Sequence, residues 1–333
     1  MSIYVIFTGG TIGSSNNDNV INTDSSIQEY FISIYKEKYL CEHNFKCMNP
    51  YTILSENLGA HHLRLLINAI KEVLSNKDVE GIIVNHGTDT LQYTSAILSY
   101  VFSAINIPIL LVSSNYVLSD LRSNGLINFH FAIKFIEQFN FGGVFVSYKN
   151  ENDIPYIHFG TRLSAPLLFS ADISSVNDSW FARFEKDVLK YNDAYNYFTA
   201  QNHLFDFNDD INLYKLSDGE ILWIRPYPEM SYTCPSDNTK AVLHESFHSG
   251  SIAVNDDMRR FANECCKKNI PIYITGLEKN EAVYDNVNEY KKLGFVPVYG
   301  YSPIALYCKI WLSICNDLDI SEVVKKLVAF DMI

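Results

Sequence analysis

The chain is 333 residues long, enough for two domains at the usual ~150 residues each. With 47% hydrophobic and 19% charged residues it has the make-up of a folded protein with an ample core, not of a disordered chain. A formal net charge of −12 with no basic cluster makes nucleic acid and anionic membrane surfaces poor partners, and neither is expected.

Taken in order, Ile3 to Phe7 is a continuous apolar run of the kind that buried parallel strands show, and Thr8-Gly9-Gly10-Thr11-Ile12-Gly13 is the turn after it. Ser14 to Asn19 reads as a surface loop, and Ser25 to Tyr39 as a helix with Ser25 or Ser26 as N-cap. Asn49 to Leu54 reads as a strand ended by Ser55-Glu56-Asn57. His61 to Ser75 follows as an amphipathic helix with Leu63, Leu66, Ile67 and Ile70 on one face. Ile82-Ile83-Val84 then forms the central strand, which opens into Asn85-His86-Gly87-Thr88-Asp89-Thr90 and a helix over Leu91 to Val101. Ile107 to Val112 is a further strand, ending at Ser113-Ser114-Asn115, and Asp120 to Phe139 is largely helical before a strand at Gly143 to Ser147.

Four rounds of strand, polar turn and helix predict an α/β protein with a parallel, doubly wound N-terminal sheet. Ligands bind such sheets outside the C-terminal ends of the strands, so the two glycine-threonine turns mark the expected site. Beyond Glu151 the pattern loosens. Ile154 to Phe159 reads as a hairpin strand, Ser164 to Asp178 as a loop, and Asn208 to Asp218 as a joint. Short strands at Glu220 to Ile224, Lys240 to His244, Pro271 to Thr275 and Val296 to Val298 alternate with helices at Asp256 to Lys268 and Ile304 to Cys315. The expected division is an N-terminal α/β domain over 1–205, a linker over 206–219, and a second, smaller α/β domain over 220–333.

The start of the chain enters a strand with no signal peptide, and no run approaches the ~20 apolar residues of a membrane span, so a cytoplasmic protein is expected. Seven cysteines, Cys41, Cys47, Cys234, Cys265, Cys266, Cys308 and Cys315, lack the paired spacing of a zinc site. His61-His62 and the pair His244/His248 point only faintly to a metal.

Thr8-Gly9-Gly10-Thr11-Ile12-Gly13 followed by His86-Gly87-Thr88-Asp89-Thr90, each at a strand end, resembles the bacterial-type L-asparaginases. Leu121-Arg122-Ser123-Asn124-Gly125 with Ile127-Asn128 also looks like that family. The resemblance covers residues 1 to about 150, thins to 205 and is architectural afterwards. Without a signal sequence the chain is more similar to the cytoplasmic type I branch. The resemblance implies an asparaginase-like fold and an amidohydrolase splitting the side-chain amide of L-asparagine or a related small amide. It implies no cofactor and no metal, and a homodimer or homotetramer with sites at a subunit interface. By position, Thr11 matches the threonine nucleophile and Thr88 the second essential threonine. Asp89 matches the carboxylate that holds the substrate ammonium, and Ser55 the serine that binds its carboxylate. Gly10, Gly87 and Ser114 complete the expected substrate-binding residues. The chemistry agrees: a threonine hydroxyl needs a hydrogen-bond network to draw off its proton, and strand-end amides can cradle an oxyanion.

The chain also departs from the family. Gly160-Thr161-Arg162-Leu163-Ser164-Ala165 aligns with a stretch whose last position is a lysine, and here that position is Ala165. Losing such a proton-transfer group typically costs about 10²–10⁴ in rate. Lys149 and Lys186 are candidate substitutes by proximity in sequence only. The expected tyrosine falls near Val20, the partner-contributed glutamate near Ile304, and Leu54 replaces an aspartate before Ser55. Two rivals to hydrolysis stand beside it: a non-hydrolytic amino-acid-binding or regulatory homologue, and an acyl-transfer enzyme with an amine acceptor. Thr8 to Gly13 also reads as a phosphate turn, Thr88-Asp89 as helix caps, and Ser55 as a plain turn residue. Arg162 and His86 read as structural.

Overall fold

A computed structural model describes residues 2–10, 25–139, 141–192, 211–277, 279 and 284–333. The first sheet begins with β1 (Ser2–Phe7), and α1 (Ser25–Tyr39) follows. Next come β2 (Phe45–Met48), a short 3-10 turn at Ser55–Asn57, α2 (Ala60–Leu74) and β3 (Val79–Asn85). The chain continues through α3 (Leu91–Val101), β4 (Pro108–Val112), α4 (Gly125–Gln138) and β5 (Gly143–Lys149). Three antiparallel strands, β6 (Pro155–Phe159), β7 (Ala182–Glu185) and β8 (Val188–Tyr191), complete the sheet. Its order is β2-β1-β3-β4-β5-β6-β7-β8, with β1 to β5 parallel.

The apolar runs are continuous because helices cover both faces. Ile3, Val5 and Phe7 pack with Phe31, Tyr35, Phe129 and Phe135 of α1 and α4. Tyr4 and Ile6, pointing the other way, pack with Leu63, Leu66, Ile67 and Ile70 of α2 and with α3. The amphipathic stripe expected on α2 is the buried one.

A second, all-parallel sheet has the order β12-β11-β10-β9, built from β9 (Ile221–Ile224), β10 (Ala241–Glu245), β11 (Ile272–Leu277) and β12 (Phe295–Tyr299). The helices α5 (Asp256–Lys267), α6 (Asp285–Lys292), α7 (Pro303–Cys315) and α8 (Ile320–Lys325) accompany it. α7 is buried almost all round because it serves both sheets. Ile304, Cys308 and Leu312 join the core of the first, and Leu306, Ile310 and Ile314 that of the second. At its centre Lys309 is fully buried, donating to Asp331 Oδ2 at 2.7 Å and to the Tyr301 hydroxyl at 2.8 Å. Tyr100 of α3 donates to the same Asp331 oxygen at 3.1 Å.

Three expectations need correction. The strand expected over Asn49 to Leu54 lies earlier, at Phe45–Met48, and only Ile53 of the expected stretch makes a bridge, to Gly9. The helix expected from Asp120 starts at Gly125, because Asp120 to Asn124 forms turns closed by Ser123 N–H on Asp120 O and by reciprocal Asn115–Asn124 bonds. Strands β7 and β8 and helices α6 and α8 had no counterpart in the expectation. The loop expected at Ser14 to Asn19 and the capping side chains of Ser25 and Ser26 lie outside the described residues.

Candidate active site

In the order β2-β1-β3-β4-β5 the sheet is extended outward on either side from β1, so β1 and β3 flank the point where the winding reverses. Crevices form at that point, above the C-terminal strand ends. Phe7 pairs with Asn85 at those ends, and Thr8 ties the two turns together: its hydroxyl donates to Asn85 O at 2.9 Å and its N–H to the same carbonyl at 3.2 Å. The backbones then come closer than side chains would allow. Gly10 has φ +79, and a Cβ there would lie 2.7 Å from Gly87 N. A Cβ on Gly87 would lie 2.5 Å from Ser55 Oγ. Glycine at both positions lets three segments, residues 8–10, 53–55 and 86–89, meet at one spot.

Ser55 is buried; its hydroxyl donates to Asp89 Oδ2 at 3.4 Å, and its carbonyl accepts from Thr90 Oγ1 at 2.9 Å. The half-buried Thr88 and exposed Asp89 line a cavity of about 280 Å³. Asn115 and Tyr116 from the end of β4 form a second wall, and Phe169 to Ile173 a third. Thr11 itself lies outside the described residues, directly after Gly10. Val20, where the family tyrosine falls, is outside them too.

Ser114 does not line this cavity. Its buried hydroxyl donates to Tyr116 O at 2.5 Å and meets Ser123 Oγ at 2.9 Å, so it shapes the loop that carries Tyr116. Ile304 is packed in the core. Ala165 is exposed in the segment after β6. Lys149 donates to Asn150 O at 3.4 Å and Lys186 sits in the turn between β7 and β8; neither lines the cavity.

His86 is a structural pin. Its Nδ1 lies 2.8 Å from Gly87 O, which only accepts, so Nδ1 carries the proton and Nε2 accepts from Thr94 Oγ1 at 2.9 Å. Burial lowers its pKa to about 4, leaving the ring neutral at pH 7. Arg162 is structural as well. Its Nε donates to Phe330 O at 2.5 Å and its terminal nitrogen to Met332 O at 2.9 Å; burial lowers its pKa to about 10, which leaves it charged at pH 7. Among the described residues no group of three or more His, Cys, Asp or Glu side chains is placed to hold a metal. His244 is buried against Tyr232, and no described helix is long and apolar enough to cross a membrane.

The wall residues Asn115, Tyr116 and Asp172 were not foreseen. A polar run after β4 hinted at the first two. Asp172 reaches the site on a loop from beyond β6, which no local pattern announces.

The lining brings Thr88, Asp89 and Asp172 together at a cavity sized for a small polar molecule, next to the close approach of Gly10 and Gly87. Residues 2–194 match the family model described as "Asparaginase, N-terminal". The chain belongs to the asparaginase family. Among curated relatives, this asparaginase-family chain is 41% identical over 76 residues to a glutamyl-tRNA(Gln) amidotransferase subunit of Methanopyrus kandleri, covering 22% of this chain and 17% of that one. It is 30% identical over 129 residues to L-asparaginase 1 of Escherichia coli, covering 38% of each. The matches thus span well under half the length of these two relatives. The thermostable L-asparaginase of Thermococcus kodakarensis has the same fold, with a TM-score of 0.78 at 20% identity over 100% of this chain and 99% of that one.

Proposed function

We propose that this asparaginase-family chain hydrolyses the side-chain amide of L-asparagine or a related small amide, with Thr11 as nucleophile and Thr88 and Asp89 in support. One observation carries the reading: Gly10, Ser55, Gly87, Thr88 and Asp89, drawn from three separate segments, meet at the β1/β3 crevice. Thr11 is the next residue in the sequence after Gly10.

In this reading Asp89 takes the substrate ammonium, with Ser55 and Gly87 beside it. The Thr11 hydroxyl adds to the carboxamide carbon while its proton passes through the hydrogen-bond network to the departing nitrogen. Ammonia leaves and an acyl-Thr11 ester remains. A water positioned by Thr88 then attacks that ester, releasing the carboxylic acid and restoring the hydroxyl, so amide and water become acid and ammonia. The Gly87 backbone amide at the end of β3 would donate to the oxyanion, a role typically worth about 10²–10³ in rate per donor. A homodimer or homotetramer remains part of the proposal.

A specific observation favours a second reading. Among the described residues no lysine or arginine lines the cavity, and Ala165 stands where the family resemblance puts the lysine. A site without its proton-transfer amine suits binding, or acyl transfer to an amine, better than rapid hydrolysis.

Ammonia release from L-asparagine separates these readings. Release by the wild type that Thr11→Ala abolishes supports hydrolysis. A silent wild type that Ala165→Lys activates supports a scaffold whose work is binding. Saturable binding without release, retained in Thr11→Ala, supports the non-hydrolytic reading.

A further inference from the structure

Two acidic residues line the same cavity from different parts of the chain. Asp89 comes from the turn after β3, and Asp172 from the loop that follows β6. That loop is fastened in place. The Tyr148 hydroxyl donates to Ala171 O at 2.7 Å, and Asn150 pairs with both backbone groups of Ile173, accepting from its N–H and donating to its carbonyl, at 2.9 Å each. The Asp172 N–H donates to Ser170 Oγ at 3.1 Å, and Asp172 Oδ1 accepts from Glu151 N at 3.2 Å. Asp172 is thus exposed but tethered at the cavity wall, with one carboxylate oxygen on Glu151 N and its backbone fixed by the neighbouring bonds.

Among the described residues no cation balances these two charges, since the lining holds neither lysine nor arginine. Arg122 lies over the Tyr116 ring at 4.0 Å, but its fork is engaged by Asp120 at 2.6 and 3.0 Å. A zwitterionic amino-acid amide gains from one carboxylate and is repelled at its own. An amide with a net positive charge gains from both.

We propose that Asp172 is a specificity-determining residue, setting this cavity to prefer small amides with a net positive charge, their α-carboxylate masked or a second amine present, over zwitterionic L-asparagine. The proposal rests on the amide-binding reading of the same site. It adds which charge state of the ligand that site selects.

The test compares L-asparagine with L-asparagine α-N-methylamide, which carries the same side chain and ammonium and a single primary amide. Ammonia release and calorimetric affinity are measured for both, in the wild type, in Asp172→Asn and in Asp172→Glu, at low and high salt. Asp172→Asn keeps an acceptor for Glu151 N, and Asp172→Glu restores the charge. The wild type is expected to favour the methylamide through KM or Kd. Asp172→Asn should reduce that preference about five- to tenfold, the scale of one partly screened charge. Asp172→Glu should restore much of it, and salt should weaken it in the wild type far more than in Asp172→Asn. Equal preference in wild type and Asp172→Asn, a wild type that favours asparagine, or binding of neither molecule overturns the proposal. Absence of ammonia with the affinity pattern intact overturns hydrolysis and leaves the charge selection standing.

Discussion

Replacing Gly87 by alanine tests whether close backbone approach builds the crevice. The added Cβ would sit 2.5 Å from Ser55 Oγ and 2.6 Å from Ser55 Cβ, nearly an ångström inside ordinary contact. Ser55 is buried, so it cannot turn away without moving the 3-10 turn that carries it. Overpacking of this kind costs about 1–3 kcal/mol. Movement of the turn would also strain the Thr90 Oγ1–Ser55 O bond and pull the Ser55 hydroxyl from Asp89. Gly87→Ala is therefore expected to lower urea stability by about 2 kcal/mol and to weaken ligand binding at the same time. Ser55→Gly opens the space that the new methyl needs. In the double variant the stability loss should be smaller than the sum of the single losses by about 0.5–3 kcal/mol, the range for residues in contact. A Gly87→Ala protein as stable as the wild type, or two losses that simply add, would refute the convergence of these segments.

Three further outcomes are expected. His86, His158 and His244 are held neutral by burial, each with its pKa lowered to about 4 from about 6.5. The unfolded chain binds more protons between those values, so stability is full above pH 6.5 and falls as pH drops toward 4; urea midpoints that stay flat across this window would contradict it, and His86→Gln should remove close to one proton from the slope. Lys309→Met leaves the buried Asp331 carboxylate without its ammonium and should cost about 3–5 kcal/mol, with Lys309→Met/Asp331→Asn recovering part of the loss. Arg162→Lys replaces a two-armed donor by a single one, and faster amide exchange confined to residues 328–333 is expected; unchanged exchange there would show that the fork holds nothing.

Buried regular structure was legible where physics left one option. The strands at Ile3 to Phe7 and Ile82 to Val84 are apolar at every position because both faces are covered, and the stripe on α2 could face only inward. Edge elements were harder. β2 has half-buried Phe45 and Met48 at its ends and exposed Lys46 and Cys47 between them, a pattern with no alternation to separate it from a loop. The β7–β8 hairpin turns through Lys186 and Asp187, both with positive φ, where the expected signal would be asparagine-glycine or aspartate-glycine. α6 shows only Val287 and Tyr290 to the core, which gives almost no periodicity. At the site, the turn residues Gly10, Gly87, Thr88 and Asp89 stood out because glycine and hydroxyls interrupt apolar runs. Asp172 did not, since its role depends on where Tyr148 and Asn150 anchor a distant loop. Ser114 looked like a ligand residue for its place after β4, yet its hydroxyl is used within its own loop.

The late arrival of one segment sets a clock on biosynthesis. Arg162 and Phe330 are 168 positions apart, yet the guanidinium closes on the Phe330 carbonyl and the Phe330 ring stacks on Phe159 at 5.0 Å. At about 5–20 residues per second, translation takes roughly 8–34 s to cover that gap. Throughout this interval a nascent first sheet leaves Arg162 and one face of Phe159 uncovered, and for most of it α7, which buries its other flank, is also still unmade. The first half of the chain is thus a client for chaperones until its last turns emerge. Expressed by itself, it should aggregate unless α7 and the segment around residues 328–332 are supplied in trans.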